Sequence, residues 1–245
     1  LTVRAWRAWE AVLARRGRHD LQMGSDGLPL PPAPLRVRVI AQADPQLFLD
    51  SGRAEAAQLA EAAASNGLPI ADVGRMLDFG CGCGRVTRHW AAVPSLEVYG
   101  ADHDAELIDW LQRGLPFVQA HRNDLSPPLP YPDGHFGLVY AISVFTHMTE
   151  ELSAAWMAEL HRVLRGGGLL LFSVVGEENL DRLRPHERAA FDRGELVVQF
   201  EEGLGTNLCA TYHPKAYLER LTRDFEHLGT RPIGAQRLWA LRSRG

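Results

Sequence analysis

The chain has 245 residues, 46% of them hydrophobic and 23% charged, with a net charge of −4. This is the composition of a globular protein with one large domain and room for a modest appendage, and it gives no electrostatic reason to expect a polyanionic partner such as nucleic acid. Three cysteines are too few and too scattered for a disulfide framework. No apolar run approaches the ~18 residues of a membrane span, and the N-terminus has no signal-peptide core, so a cytoplasmic protein is expected.

In chain order, Trp6, Trp9, Val12 and Leu13 stand at helical spacing. They predict an amphipathic helix over residues 4–15, packed on the main domain or serving as a lid. Arg15, Arg16 and Arg18 read as its solvated surface. Gly24 to Arg36 is rich in Pro and Gly and predicts an extended connector. An alanine-rich helix follows from Ser51 to Asn66, with Ser51 as its cap and Gly67 as its stop. Strand and helix then alternate. Strands are expected at Arg75–Phe79, Glu97–Ala101, Phe117–Ala120, Phe136–Ser143 and Leu169–Val175. Helices are expected at Arg85–Val93, Ala105–Leu111 and Glu150–Leu164, the last capped by Thr149 and ended by Gly166 to Gly168. Strands this apolar imply a parallel sheet covered on both faces. After Val175 the rhythm breaks. A helix near His186–Asp192, an apolar stretch Leu196–Phe200 and a helix opened by Pro214 precede a closing antiparallel pair, Phe225–Pro232 and Arg237–Arg242.

These elements predict an α/β fold: a Rossmann-like, doubly wound, mostly parallel seven-stranded sheet with a C-terminal antiparallel strand. Residues 1–70 form an N-terminal helical extension and linker on the substrate side. Residues 71–245 form the cofactor-binding domain, with an insertion at 176–215 roofing an acceptor pocket.

The segment Leu77 to Arg85, LDFGCGCGR, carries the most chemistry. It sets an acid and a Gly-x-Gly-x-Gly turn at the end of an apolar strand. Glycines at 80, 82 and 84 leave no Cβ to block the approach of a ligand. A dinucleotide fingerprint is Gly-x-Gly-x-x-Gly, whose helix N-terminus takes a pyrophosphate. Here the third glycine comes one residue early, and Asp78 stands two residues before the first. A turn edged by acid suits an amine or sulfonium better than a phosphate. Asp102, at the end of the next strand, is placed to grip ribose hydroxyls. Asp124, after the third strand, can accept from an adenine amino group while Leu125 packs on the ring. Cys81 and Cys83 lack the partners of a zinc site, and no metal is expected.

The sequence resembles the class I S-adenosylmethionine-dependent methyltransferases, in particular the bacterial type 11 and type 12 methyltransferase domains. LDFGCGCGR is similar to the family's first motif, YGAD (Tyr99 to Asp102) to its acidic second and Asn123-Asp124-Leu125 to its third. DGHFGLVYAISVFTHM (Asp133 to Met148) and LHRVLRGGGLLLFSV (Leu160 to Val174) extend the resemblance over residues 75–175. Arg165-Gly166-Gly167-Gly168 departs from the Lys-Pro-Gly-Gly of many relatives. The resemblance implies S-adenosylmethionine as cofactor, with S-adenosylhomocysteine as product. It places Asp78, Gly80, Cys81 and Gly82 around the methionine part, Asp102 on the ribose and His103 beside the adenine. Asp124 and Leu125 fix the adenine, and Ile142 or Ser143 takes the amino group through its backbone carbonyl. Arg85 either braces the site through a carboxylate or lies on a helix surface.

A general base is needed only for a hydroxyl or a protonated amine. The candidates are His147, after the fourth strand, and His213, before Pro214. Glu177 and Glu178 follow the fifth strand, and His135 belongs to a surface turn. The expected function is methylation of a small-molecule acceptor at a hydroxyl, of the saccharide or secondary-metabolite kind. The alternatives are N- or C-methylation, or cofactor binding without catalysis. An NAD-linked dehydrogenase is disfavoured by the glycine spacing. A nucleic-acid amino-methyltransferase is disfavoured by Ser126-Pro127-Pro128-Leu129, which precedes the fourth strand instead of ending it.

Overall fold

The structure, a computed structural model, describes residues 3–15 and 22–245. Arg16 and Arg18 lie outside the described residues. Seven strands form the main sheet: β1 (Arg75–Phe79), β2 (Glu97–Asp102), β3 (Val118–Arg122), β4 (Phe136–Ala141), β5 (Leu164–Val174), β8 (Phe225–Ile233) and β9 (Gln236–Ser243). Their order is β3-β2-β1-β4-β5-β9-β8, with β9 antiparallel to both neighbours and the first five mutually parallel. A separate two-stranded ribbon, β6 (Val197–Gln199) with β7 (Ala210–Tyr212), lies with α6 (Pro185–Asp192) in the segment after β5. The strand order reverses between β1 and β4, which fixes the crevice where a doubly wound sheet takes its ligand.

Alternation along each strand divides the core. Met76, Val98, Leu138, Tyr140 and Leu171 face α3 (Pro45–Ser65) and α4 (Ala105–Gly114). Leu77, Phe79, Val139, Leu170 and Phe172 face α5 (Glu150–Val163) and α7 (Lys215–Leu221). These side chains are almost fully buried, and each contributes roughly 1.5–3 kcal/mol. Among the described residues no helix is long and apolar enough to cross a membrane.

Four local expectations are corrected. The connector is not extended throughout, because α2 (Ala33–Ile40) begins inside it. Pro34 sits in the first turn, where the N–H it lacks has no helical partner anyway. The alanine-rich helix starts at Pro45 and is capped by Asp44, which accepts from Gln46 N at 2.8 Å and Leu47 N at 3.3 Å. Ser51 lies inside it and bonds back to the Phe48 carbonyl. The glycine turn leads into a 3-10 segment, Thr87–Ala92, in place of an α-helix. Pro94 disfavours helical backbone at Val93, and left-handed Gly84 (φ 81°) precedes the segment. The glycine triplet also differs: α5 ends at Val163, and β5 runs from Leu164 with a register shift across the glycines. The closing hairpin turns at Gly234.

Arg88 ties the connector to this core. Its guanidinium is 1% exposed and forks onto Asp26 at 2.5 and 2.9 Å, with further bonds to the carbonyls of Pro29 and Leu28. Asp26→Ala leaves this buried cation with carbonyls alone. Urea denaturation is expected to show a loss of about 2 kcal/mol.

Candidate functional site

Beyond the carboxyl edge of β1, β2 and β4 lies a cavity of about 730 Å³. Its floor is the glycine turn. Gly80, Gly82 and Gly84 all adopt positive φ, at 77°, 55° and 81°. A Cβ at Gly80 would meet Val144 at 2.3 Å, and one at Gly82 would meet Val39 at 2.8 Å. The turn therefore needs glycine for its left-handed backbone and for close protein packing. Protein packing is thus a second reason for glycine here, beside the open approach for a ligand expected from the sequence. Gly80 N and Cys81 N both donate to the Ala101 carbonyl, and Gly82 N donates to Asp102 Oδ2 at 2.9 Å. The ends of β1 and β2 are thus stapled together.

The structure brings the sequence-predicted cofactor residues to this one cavity. Asp78, Gly80, Cys81 and Gly82 line its β1 side, Asp102 and His103 the β2 end, Asp124 and Leu125 the β3 end, and Ile142 and Ser143 the β4 end. His147 also lines it.

Asp78 is 4% exposed and accepts from Thr87 Oγ1 at 2.5 Å and Tyr140 OH at 2.6 Å. Tyr140 in turn accepts from Trp90 Nε1. Burial outweighs these donors and pushes the Asp78 carboxyl up to about 7. The nearest guanidinium does not pair with it. Arg85 reaches 2.6 Å to Glu55 on α3, so it braces the glycine turn through that carboxylate. Asp102 accepts from Gly82 N and Asp104 N. His103 Nδ1 lies 3.4 Å from Asp102, and that contact raises its pKa.

His147 ends a 3-10 turn, Phe145–His147. Its Nδ1 is 2.5 Å from the Cys209 carbonyl, which can only accept. Nδ1 must carry the proton, which leaves Nε2 as the basic nitrogen. Burial holds its pKa below the usual histidine value, so it is neutral at pH 7. His213 is placed differently. Its ring is 1% exposed, does not line the cavity, and is pushed down to about 3 by burial. That corrects its candidacy as a base: β7 and the entry to α7 bury it as a neutral core side chain. Glu177 and Glu178 are also outside the lining, and Glu178 pairs with Arg237. His135 stacks on Tyr131.

The sequence offered the 4–15 helix as a lid alternative and residues 176–215 as a roof, but did not single out the residues that line the cavity there. Trp6 and Glu10 of α1 (Val3–Ala14) line the cavity, joined by Trp6 Nε1 to Glu10 Oε1 at 3.0 Å. Arg38 of α2 lines it too and pairs with Glu106 at 2.6 Å and Asp104 at 3.2 Å. Thr206 and Asn207 close the wall from the insertion. Their strap is pinned by Gly205 N to His147 O at 3.1 Å and Asn207 Nδ2 to Arg38 O at 2.6 Å. These contacts join segments far apart in the chain and leave no local signal.

A methyltransferase domain family matches residues 76–168. This segment is similar to a methyltransferase domain. The malonyl-[acyl-carrier protein] O-methyltransferase of Enterobacter lignolyticus is 30% identical over 122 residues, covering 50% of this chain and 47% of that protein. The tRNA N(3)-cytidine methyltransferase METTL2 of Gallus gallus is 31% identical over 121 residues, covering 45% of this chain and 32% of that protein. The methyltransferase domain thus accounts for the likeness, and the chain spans under half the length of these relatives. The Burkholderia thailandensis 1,6-didemethyltoxoflavin-N1-methyltransferase, solved with 1,6-didemethyltoxoflavin and S-adenosylhomocysteine, shares the fold. The TM-score is 0.59 at 17% identity, over 86% of this chain and 85% of that one.

Asp78 links protonation to folding. Its pKa is higher in the folded state than in the unfolded chain, so its stabilising contribution is full below pH 4 and lost as pH rises through 7. Asp78→Asn stays neutral. Urea denaturation at pH 5 and pH 8 is expected to show the wild type losing at least about 1 kcal/mol more than the variant across that window.

Proposed function

We propose that this protein is an S-adenosylmethionine-dependent methyltransferase acting on a hydroxyl of a small molecule. The observation that carries the reading is the convergence of three strand-end acids, Asp78, Asp102 and Asp124, on one cavity over a glycine turn. The donor chemistry fits the cofactor. Asp78 offers negative charge with no paired cation, which suits an ammonium or sulfonium. Asp102 has a second lone pair on each oxygen for the ribose hydroxyls. Leu125, 41% exposed, offers an apolar surface to a base. When bound, the cofactor supplies a methyl group on a positively charged sulfur leaving group.

The chain's own residues then have three tasks. The acids and the glycine turn hold and orient the cofactor. Helices α1 and α2, with the strap at Gly205 to Asn207, wall the acceptor space from water and favour in-line approach. His147 Nε2 takes the acceptor's hydroxyl proton as its oxygen attacks, while the Cys209 carbonyl holds the proton already on Nδ1. A volume of about 730 Å³ suits a nucleoside cofactor with a small acceptor. The N-terminal 70 residues are read as the substrate side, supported by Trp6, Glu10 and Arg38 in the wall. The net charge of −4 favours a small-molecule acceptor over nucleic acid.

Transfer of label from methyl-labelled S-adenosylmethionine to a panel of hydroxylated acceptors tests this function. Asp102→Ala is expected to weaken S-adenosylhomocysteine binding roughly tenfold or more. His147→Ala is expected to keep that binding and lose about 10²-fold or more in kcat. The wild-type acid limb of kcat is expected below the ordinary histidine pKa. Equal kcat in wild type and His147→Ala would show that no base acts there.

A further inference from the structure

Three residues distant in sequence close a ring of hydrogen bonds behind the cavity wall. Ser143 N–H donates to Ser173 Oγ at 2.8 Å, Ser173 Oγ–H donates to Gln236 Oε1 at 2.6 Å, and Gln236 Nε2 donates to Ser143 Oγ at 2.8 Å. The directions follow from the chemistry. A backbone N–H can only donate, so Ser173 Oγ accepts there. Ser173 is fully buried, and its own proton needs an acceptor, which the carboxamide oxygen supplies. The reverse amide orientation would strand that proton. The Gln236 amide therefore faces Ser143 as a donor, and the Ser143 hydroxyl proton is left over from the ring.

Ser143 itself is strained. Its φ is 59°, a left-handed value that non-glycine residues rarely adopt. It lines the cavity, whereas Gln236 and Ser173 do not. A strained wall residue, locked from behind and holding one unspent donor, is arranged to present that donor forward.

We propose that Gln236 is a positioning residue that holds the Ser143 hydroxyl as a hydrogen-bond donor to an acceptor atom of the bound cofactor. This rests on the cofactor reading above and adds a side-chain role to Ser143, otherwise expected to act through its backbone carbonyl.

Isothermal titration with S-adenosylhomocysteine on the full chain tests it. Gln236→Glu preserves size and still accepts from Ser173, but its carboxylate also accepts from Ser143 and draws that proton out of the cavity. Gln236→Glu and Ser143→Ala are each expected to weaken binding roughly fivefold. The double variant is expected to bind no more weakly than Ser143→Ala alone, because both changes remove the same donor. A merely structural role for Gln236 would instead multiply the two losses. Multiplied losses, or unchanged affinity in Gln236→Glu, overturn the proposal. Gln236→Met, which removes the donor without adding charge, is the second variant and is expected to show the same non-additivity with Ser143→Ala. A wild type that does not bind S-adenosylhomocysteine overturns the cofactor reading, and this role with it.

Discussion

A buried carboxylate without a counter-ion governs this site. Asp78 lies at the end of β1 with two hydroxyl donors and no paired cation, and its burial pushes its pKa to about 7. The obvious partner, Arg85, is committed to Glu55. A carboxylate kept in that condition is costly unless something positive arrives. The surrounding structure holds it there: Tyr140 and Thr87 both donate to its Oδ2, Trp90 donates to Tyr140, and α3 covers the turn. Gly52 shows how tightly that helix sits, since a Cβ there would lie 2.1 Å from the Arg85 carbonyl oxygen.

From this follows a division of labour. The parallel sheet and its glycine turn form a rigid half that holds the three acids at the ends of neighbouring strands. The second half is assembled from α1, α2 and the strap after β6. Leu13 of α1 shares an apolar cluster with Ala33 and Val37 of α2, and Leu35 of α2 shares another with Phe48, Cys83 and Leu107 of the rigid half, while the strap is held to α2 by a single hydrogen bond from Asn207 to the Arg38 carbonyl. His147 stands where the halves meet, on a turn after β4 yet tied to Cys209 and Gly205 of the strap. Changes in the strap would therefore reach the proposed base, and Leu125 and His103 as well, since a Cβ at Gly205 would lie 2.9 Å from Leu125 and 3.2 Å from His103.

The rigid half was legible in the sequence because its signals are local. A run of apolar residues, three glycines and an acid at each strand end mark β1, β2 and β3 and their chemistry within a few residues. The second half was legible only as segments, the helix over 4–15 and the insertion at 176–215, and not in its contacts. Asp44 rather than Ser51 caps α3, and α2 starts inside a Pro-rich stretch that reads as extended. His213 looks equivalent to His147 from its neighbours, Tyr212 and Pro214. Only the pairing of β7 with β6 and the entry to α7 put it in the core. Glu55 and Gln236 meet the site through long-range contacts that no local pattern announces.

A co-crystal structure with S-adenosylhomocysteine bears most directly on the acidic cradle. Ligand density is expected over Gly80 to Gly82, with the ribose hydroxyls on the Asp102 carboxylate and the amino group on the Asp78 side of the cavity. Density at any other place, or an empty cavity at saturating ligand, would contradict it.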